Sequence, residues 1–456
     1  MTSEEPGTDW TCLLPNETLI EIFAPIHALQ IEHIEADLED EAQDFTDTII
    51  PLTRVCRRWR EVIYHEPRFW AHIKVTAKHT SLETIKQLQR SKGRRLYIFW
   101  SCHAADTAGS SERKIWEALV GELTRCQELT IVGRREKCLE RLALCTNALP
   151  RALPCLSSLR IFVPVSYGRT LHWPRDPLMA HPVRAIRLFN CDLATIGCNG
   201  EFLTTLELAY GADTEKDLGI RVPESEFNRL FNEMPALTYL NLSGDCVVTP
   251  SSRAQFDPSP DLPPCHIAVK LPSLHTLVLQ AYGPDCDYLT WICAPNLRLL
   301  VLAHLSSYLA DPTSRNDVAR NFPSLEVLKL INISTELDDQ ISALPFCFPH
   351  LTTLSITHTN WAILYNLGKH PGLGGPGTWP LLQKFITGPA VPPSDIMNFI
   401  SLRRRSGHPL STISTDEEGS EMLKELWDDP GPELEIQDLA PPVEYDIGLQ
   451  PSRYVW

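Results

Sequence analysis

The most regular feature of the chain is a spacing of apolar residues. From residue 126 onward the pattern L-x-x-L-x-L returns repeatedly, often with a proline two positions upstream. It reads LSSLRI from Leu156, VRAIRL from Val183, LTTLEL from Leu203 and LTYLNL from Leu237. It continues as LHTLVL from Leu274, LRLLVL from Leu297, LEVLKL from Leu325 and LTTLSI from Leu351, with looser copies at Cys126 and Leu382. The L-x-L half puts alternate residues on one side of a strand, and the leading residue packs at the turn into it. Pro154, Pro235, Pro272, Pro295, Pro323, Pro349 and Pro380 stop the preceding segment and set an extended approach. Between strands the pattern turns helical: PESEFNRLFNE after Val222, TSRNDVARNF after Pro312, and SDIMNFISLRRR with Ser394 as N-cap. Earlier, Thr80 and Glu83 fit a capping box for a helix that Gly93 ends. The intervals between leading residues from 156 to 351 are 27, 20, 34, 37, 23, 28 and 26. Self-similarity at this period predicts a solenoid whose strands stack into one parallel sheet.

The front of the chain follows a different rule. Leu14-Pro15 opens a helix, since proline suits a first helical position. Leu19, Ile22, Phe23 and Ile26 then form one apolar stripe, and Leu52, Val55, Cys56, Trp59 and Ile63 form a second. Pro67 ends that helix and Phe69-Trp70 adds a bulky apolar plug. Two such helices cannot bury a wide apolar face within about 60 residues. Either the faces close on each other and on the next domain, or part of the surface receives a partner helix. Periodicity leaves both open.

Taken together, LPNETLIEIF and LTRVCRRWREVIYHEPRFWAHI resemble the F-box, with Leu14, Pro15, Glu17, Ile22, Phe23, Val55, Cys56, Trp59, Pro67 and Trp70 on the family's motif positions. The resemblance covers residues 12–75 and is strongest to the F-box proteins of fungi. It implies a hook for the Skp-type adaptor of a cullin–RING (SCF) ubiquitin ligase, with the repeat body holding a substrate protein. The adaptor-binding set it implies is Leu14, Pro15, Glu17, Leu19, Ile22, Phe23, Leu52, Val55, Cys56, Trp59, Ile63 and Trp70. The repeats resemble a leucine-rich-repeat horseshoe, with irregular lengths and mostly without its Asn or Cys position, although Cys191 fits. The expected fold is therefore an α/β solenoid, irregular and leucine-rich-repeat-like, with parallel strands plus helices, preceded by a small all-α F-box. The expected domains are the hook at 12–75, with an acidic insertion near 30–48 read as a solvent loop, the solenoid at 76–413, and a disordered acidic tail at 414–456. The alternative is a non-ligase protein-binding scaffold that uses the repeat surface.

Charge and composition narrow the classes. Of the formal charge of −16, residues 32–47 carry −8 and residues 416–456 carry −10, which leaves +2 for everything else and reads as a nearly neutral folded body. That reading excludes nucleic acid as a partner, which needs a basic stripe. No run of about 18 apolar residues is present, so no membrane partner is expected. The start MTSEEPGTDW lacks a basic, apolar leader, and the fourteen cysteines show no C-x-x-C pair, which fits small buried residues in a reducing compartment. The expected location is the cytoplasm, the nucleus or both. No catalytic, cofactor or metal site is expected, because no motif joins a nucleophile, a base and an oxyanion donor, and neither H-x-x-x-H nor G-x-S-x-G occurs. The glycine-rich run at 372–377 lacks the G-K-[ST] ending and reads as a surface loop. Arg403, Arg404 and Arg405 close a helix and oppose its dipole, and Trp173, Trp291, Trp361 and Trp379 read as core fillers. Oligomeric state and substrate identity lie beyond the sequence.

Overall fold

The computed structural model describes residues 13–36, 49–76, 81–102, 109–133, 154–163, 183–191, 200–210, 222–244, 247–248, 269–280, 288–304, 315–333, 344–357, 379–388, 391–426 and 434–438. Leucine spacing dictates its largest feature, an open parallel sheet of fourteen strands. These are β1 (His72–Val75), β2 (Leu96–Cys102), β3 (Cys126–Gly133), β4 (Ser158–Phe162), β5 (Ala185–Phe189) and β6 (Thr205–Ala209). Then come β8 (Tyr239–Ser243), β11 (Thr276–Gln280), β13 (Leu299–Ala303), β14 (Val327–Ile331), β15 (Thr353–Thr357), β16 (Lys384–Thr387), β17 (Thr412–Thr415) and β18 (Glu435–Asp438). Outside it, β7 (Val222–Pro223) pairs with β9 (Val247–Val248), and β10 (Val269–Lys270) with β12 (Ile292–Cys293). Every strand of the main sheet pairs with its neighbours in chain order, the arrangement of an α/β solenoid.

The register explains why the apolar pattern is so strict. Leu206, Leu240, Leu277, Leu300, Leu328 and Leu354 lie side by side across the sheet, all buried. Two residues on, Leu208, Leu242, Leu279, Leu302, Leu330 and Ile356 form a second buried row. The approach to each strand is equally regular. In Met234-Pro235-Ala236-Leu237 the Leu N–H donates to the Met carbonyl at 3.2 Å, a β-turn with proline at its second position. Leu274, Leu297, Leu325, Leu351 and Leu382 close the same turn. The hydroxyls of Ser157, Thr204, Thr238, Thr352 and Ser411, one residue past the leading position, each donate to a carbonyl of the preceding repeat at 3.0–3.1 Å. Several strands end on a left-handed residue: Asn190 (φ 53°), Gly244 (φ 76°), His304 (φ 55°) and Asn332 (φ 50°). Asparagine and glycine tolerate that conformation best, and Gly244 is required, because a Cβ there would run into the Tyr210 carbonyl.

All ten copies of the pattern are strands of the sheet. The helices at Glu224–Asn232 and Arg315–Asn321 also fall where the pattern turns helical. Several expectations give way. The sheet begins earlier and ends later than residues 76–413, because β1 lies inside the 12–75 segment and β17 and β18 extend to Asp438. Within the tail, Glu417–Leu426 is a helix with Leu423 buried, so order there is driven by apolar burial that the acids had masked. The loop expected at 30–48 is helical up to Ala36, and residues 37–48 lie outside the described set. The helix Pro393–Arg405 has Pro392 as N-cap with no side-chain bond, so Ser394 sits inside the first turn. Arg403 is buried and donates to the Leu382 carbonyl at 3.0 Å, a packing role beyond the dipole. Trp291 and Trp379 are core residues, whereas Trp173, Trp361 and the 372–377 run lie outside the described residues. Cys126, Cys191 and Cys347 are buried, but Cys155 is exposed. Among the described residues, no helix is long and apolar enough to cross a membrane.

Candidate functional site

Three helices build the N-terminal module: α1 (Asn16–Ala36), α2 (Ile49–Leu52) and α3 (Arg57–His65), followed by a 3-10 turn at Pro67–Trp70. Its small core joins Leu19, Phe23, Ile49, Val62, Ile63, Phe69 and Trp70, apart from the core of the sheet. Polar contacts lock the geometry. Cys56 caps α3, its Sγ accepting from the Trp59 N–H at 3.4 Å. The Trp59 ring lies 4.8 Å from Phe23, and the Trp70 indole N–H donates to the Ile63 carbonyl at 2.8 Å. Arg58 donates to the Leu14 carbonyl and to Asn16 Oδ1, pinning the start of α1 against α3. Arg60 Nε donates to the Thr53 carbonyl at 2.8 Å, which holds the turn between α2 and α3.

This packing sorts residues that share a stripe in the sequence. Of the expected set, Leu19, Phe23, Ile63 and Trp70 are buried and form the core of the module. Leu14, Leu52, Cys56 and Trp59 are half-buried. Pro15 and Glu17 are exposed, Ile22 is 47% exposed and Val55 59%. Leu13, at 71% exposure, joins this group and was missed. Its signal was available, since it stands directly before Leu14-Pro15. Leu13, Ile22 and Val55 are thus the large apolar side chains that the described part of the module leaves most open.

The module is joined to the sheet by an aromatic junction. Arg90, on α4 (Ser81–Arg90), sets its guanidinium 4.0 Å from the Tyr64 ring centroid and 4.5 Å from that of Trp70. The His27 ring lies 5.4 Å from Phe69 and 5.3 Å from His72, and His72 stacks on Tyr97 at 4.4 Å. Burial lowers the His27 pKa to about 4, with the Arg68 charge adding to the effect. Burial, then the charge of His27, lowers that of His72 to about 4. Arg68 itself bridges Glu21 at 2.9 Å and lies 3.8 Å from Glu66.

The near neutrality read for the folded body conceals a strong polarity. From Arg54 to Arg95 there are twelve Lys and Arg against Glu61, Glu66 and Glu83, a balance of +9. A charge count in short windows finds it; a count by whole domains averages it away. Elsewhere, Arg187 pairs with the buried Glu207 at 3.0 Å on adjacent strands, an interaction within the sheet. Among the described residues, no group of three or more His, Cys, Asp or Glu is placed to hold a metal ion.

Comparison with known proteins bears on the module first. Residues 11–76 match the F-box-like family. No curated protein matches the chain. Among solved structures, a protein from Bacteroides fragilis is similar at 15% identity and a TM-score of 0.36, over 72% of this chain and 83% of that one. The helical region that opens this chain is an F-box-like domain, and it stands at the head of an α/β solenoid.

Proposed function

We propose that this protein is the substrate-recognition subunit of an SCF-type cullin–RING ubiquitin ligase. In this reading the F-box-like domain holds a Skp-type adaptor, and through it the cullin–RING assembly. The repeat body holds a substrate protein so that a separate E2 enzyme can modify its lysines. The chain is then a receptor with no catalysis of its own, working in the cytoplasm, the nucleus or both. One observation carries the reading: the family match falls on a module whose Leu13, Ile22 and Val55 stay open to solvent while its core is already closed. An amphipathic helix laid across those residues would cover them.

Affinity capture with the proteasome inhibited tests it. Ile22→Glu with Val55→Glu should abolish recovery of adaptor and cullin while leaving the circular dichroism of the chain unchanged, because both side chains lie outside the core. Undiminished recovery of both would overturn the assignment. Recovery of adaptor without cullin from the wild-type chain would favour a scaffold over a ligase receptor.

A further inference from the structure

The geometry points to the face of β14, β15 and β16 turned away from the core as a docking surface for an acidic segment of a substrate protein, one with an apolar side chain between its carboxylates. The inference rests on the receptor reading and adds the class of substrate. Leu328, Leu330, Leu354, Ile356 and Phe385 turn one face of these strands into the core. Alternation sends Val327, Lys329, Thr353, Ser355, Lys384 and Ile386 to the other face. Register fixes their layout. Lys329, Ser355 and Ile386 lie in one row across the three strands, and Val327, Thr353 and Lys384 in the row beside it. The lysines thus hold two opposite corners of a rectangle, Val327 and Ile386 hold the other two, and the hydroxyls lie between. Strand spacing and rise set the lysine Cα atoms about 12 Å apart. An extended segment covers that distance in roughly three to four residues. Two acids at that separation, with an apolar residue between them, meet both lysines and both apolar corners.

The rest of this face sets the patch apart. Its residues are half-buried, Ser355 excepted. In the Lys329 row, Glu207, Asn241, Val278 and Val301 on β6, β8, β11 and β13 are buried, so the row opens again at β14. Among the described residues, neither row carries a carboxylate from β13 to β17. The nearest acid in either row is Glu435 on β18, two strands and about 10 Å from Lys384 between Cα atoms. Burial lowers the Lys329 pKa, whereas a carboxylate beside it would raise it. The chain's formal charge of −16 has little reach here, because exposed charges beyond about 8 Å are largely screened at physiological salt. Complementarity is therefore decided locally, and the local charge is positive. Nucleic acid also carries anions, but its backbone offers nothing apolar to Val327 and Ile386.

The test uses the full chain and an immobilised peptide library of the pattern acid-x-apolar-x-acid, beside the same library with Asn and Gln in place of the acids. At physiological salt the chain should bind the acidic library about tenfold more tightly, since half-buried ion pairs are screened less than exposed ones. Lys329→Gln with Lys384→Gln should remove that preference, an unchanged urea midpoint showing the fold intact. Should the midpoint fall, Lys384→Gln alone should cost about threefold, and no loss there would overturn the inference. Lys86→Gln with Lys92→Gln removes two exposed charges on and after α4 and should leave the preference unchanged. Equal binding of the two libraries would overturn the inference. So would equal loss in both double variants, which would mark a general effect of charge. So would a gain of about tenfold on deleting residues 439–456, because the chain's own tail would then be the occupant. Adaptor and cullin capture, scored separately, judges the ligase reading; the peptide preference stands or falls without it.

Discussion

Acidification should loosen the junction between the F-box-like domain and the sheet. His27 on α1 and His72 on β1 both sit with their pKa near 4, against an ordinary value of 6.5. The sign follows from proton binding. Between these values the unfolded chain takes up protons that the folded junction refuses, so stability is complete above pH 6.5 and falls as pH drops toward 4. The charges facing the pair offer little relief: Arg68 repels a protonated His27, while Glu21 and Glu66 are engaged with Arg68. At pH 5 one ring contributes a loss of about 2 kcal/mol, and the two together about 2–4 kcal/mol, since each charge opposes the other. Hydrogen exchange of residues 62–75 reports the local opening, and urea titration followed by tryptophan fluorescence reports the whole. Comparison of pH 7 with pH 5 in the wild type and in His27→Phe with His72→Phe isolates the two rings from other groups such as His304. The double variant should lose most of the difference. An equal pH dependence in both proteins would refute the reasoning.

Two further predictions follow from the sheet. Leu242→Ala removes a fully buried side chain from the second leucine row and should cost about 2–5 kcal/mol, read as a lower urea midpoint; a loss under about 1 kcal/mol would contradict the packing. Gly244→Ala and Gly407→Ala place the same methyl at similar backbone angles, φ 76° and 79°, but only the first meets a carbonyl, that of Tyr210. Melting should show Gly407→Ala near the roughly 1 kcal/mol cost of the left-handed conformation and Gly244→Ala well beyond it; equal costs would count against the close approach.

The body was legible because one repeated physical demand, apolar residues at fixed offsets, is written ten times, seven of them behind a proline. Where that demand is absent the sheet still propagates. His72–Val75, Leu96–Cys102 and Glu435–Asp438 lack the leading Leu, and they pair as strands because a neighbouring edge offers backbone partners. The extension of α1 to Ala36 was hidden by its acids, although Glu, Ala and Gln are good helix formers and Pro25 interrupts only one turn. In the candidate site, residue types were readable but their division was not. Leu19, Ile22 and Phe23 share one stripe in any helical projection, and only the placement of α3 against α1 buries the first and third and leaves the second in water.

A parallel stack that grows by adding strands has no natural stopping point, and an unpaired edge invites another molecule to continue it. Here β18, the last strand among the described residues, is four residues long, with Glu435 and Asp438 at its two ends and Leu434 and Ile436 packed against the hydrophobic core. Brevity and carboxylates are the usual deterrents to edge-to-edge growth. Within the segment that reads as a solvated tail, β18 thus combines the two features that discourage pairing with a second edge.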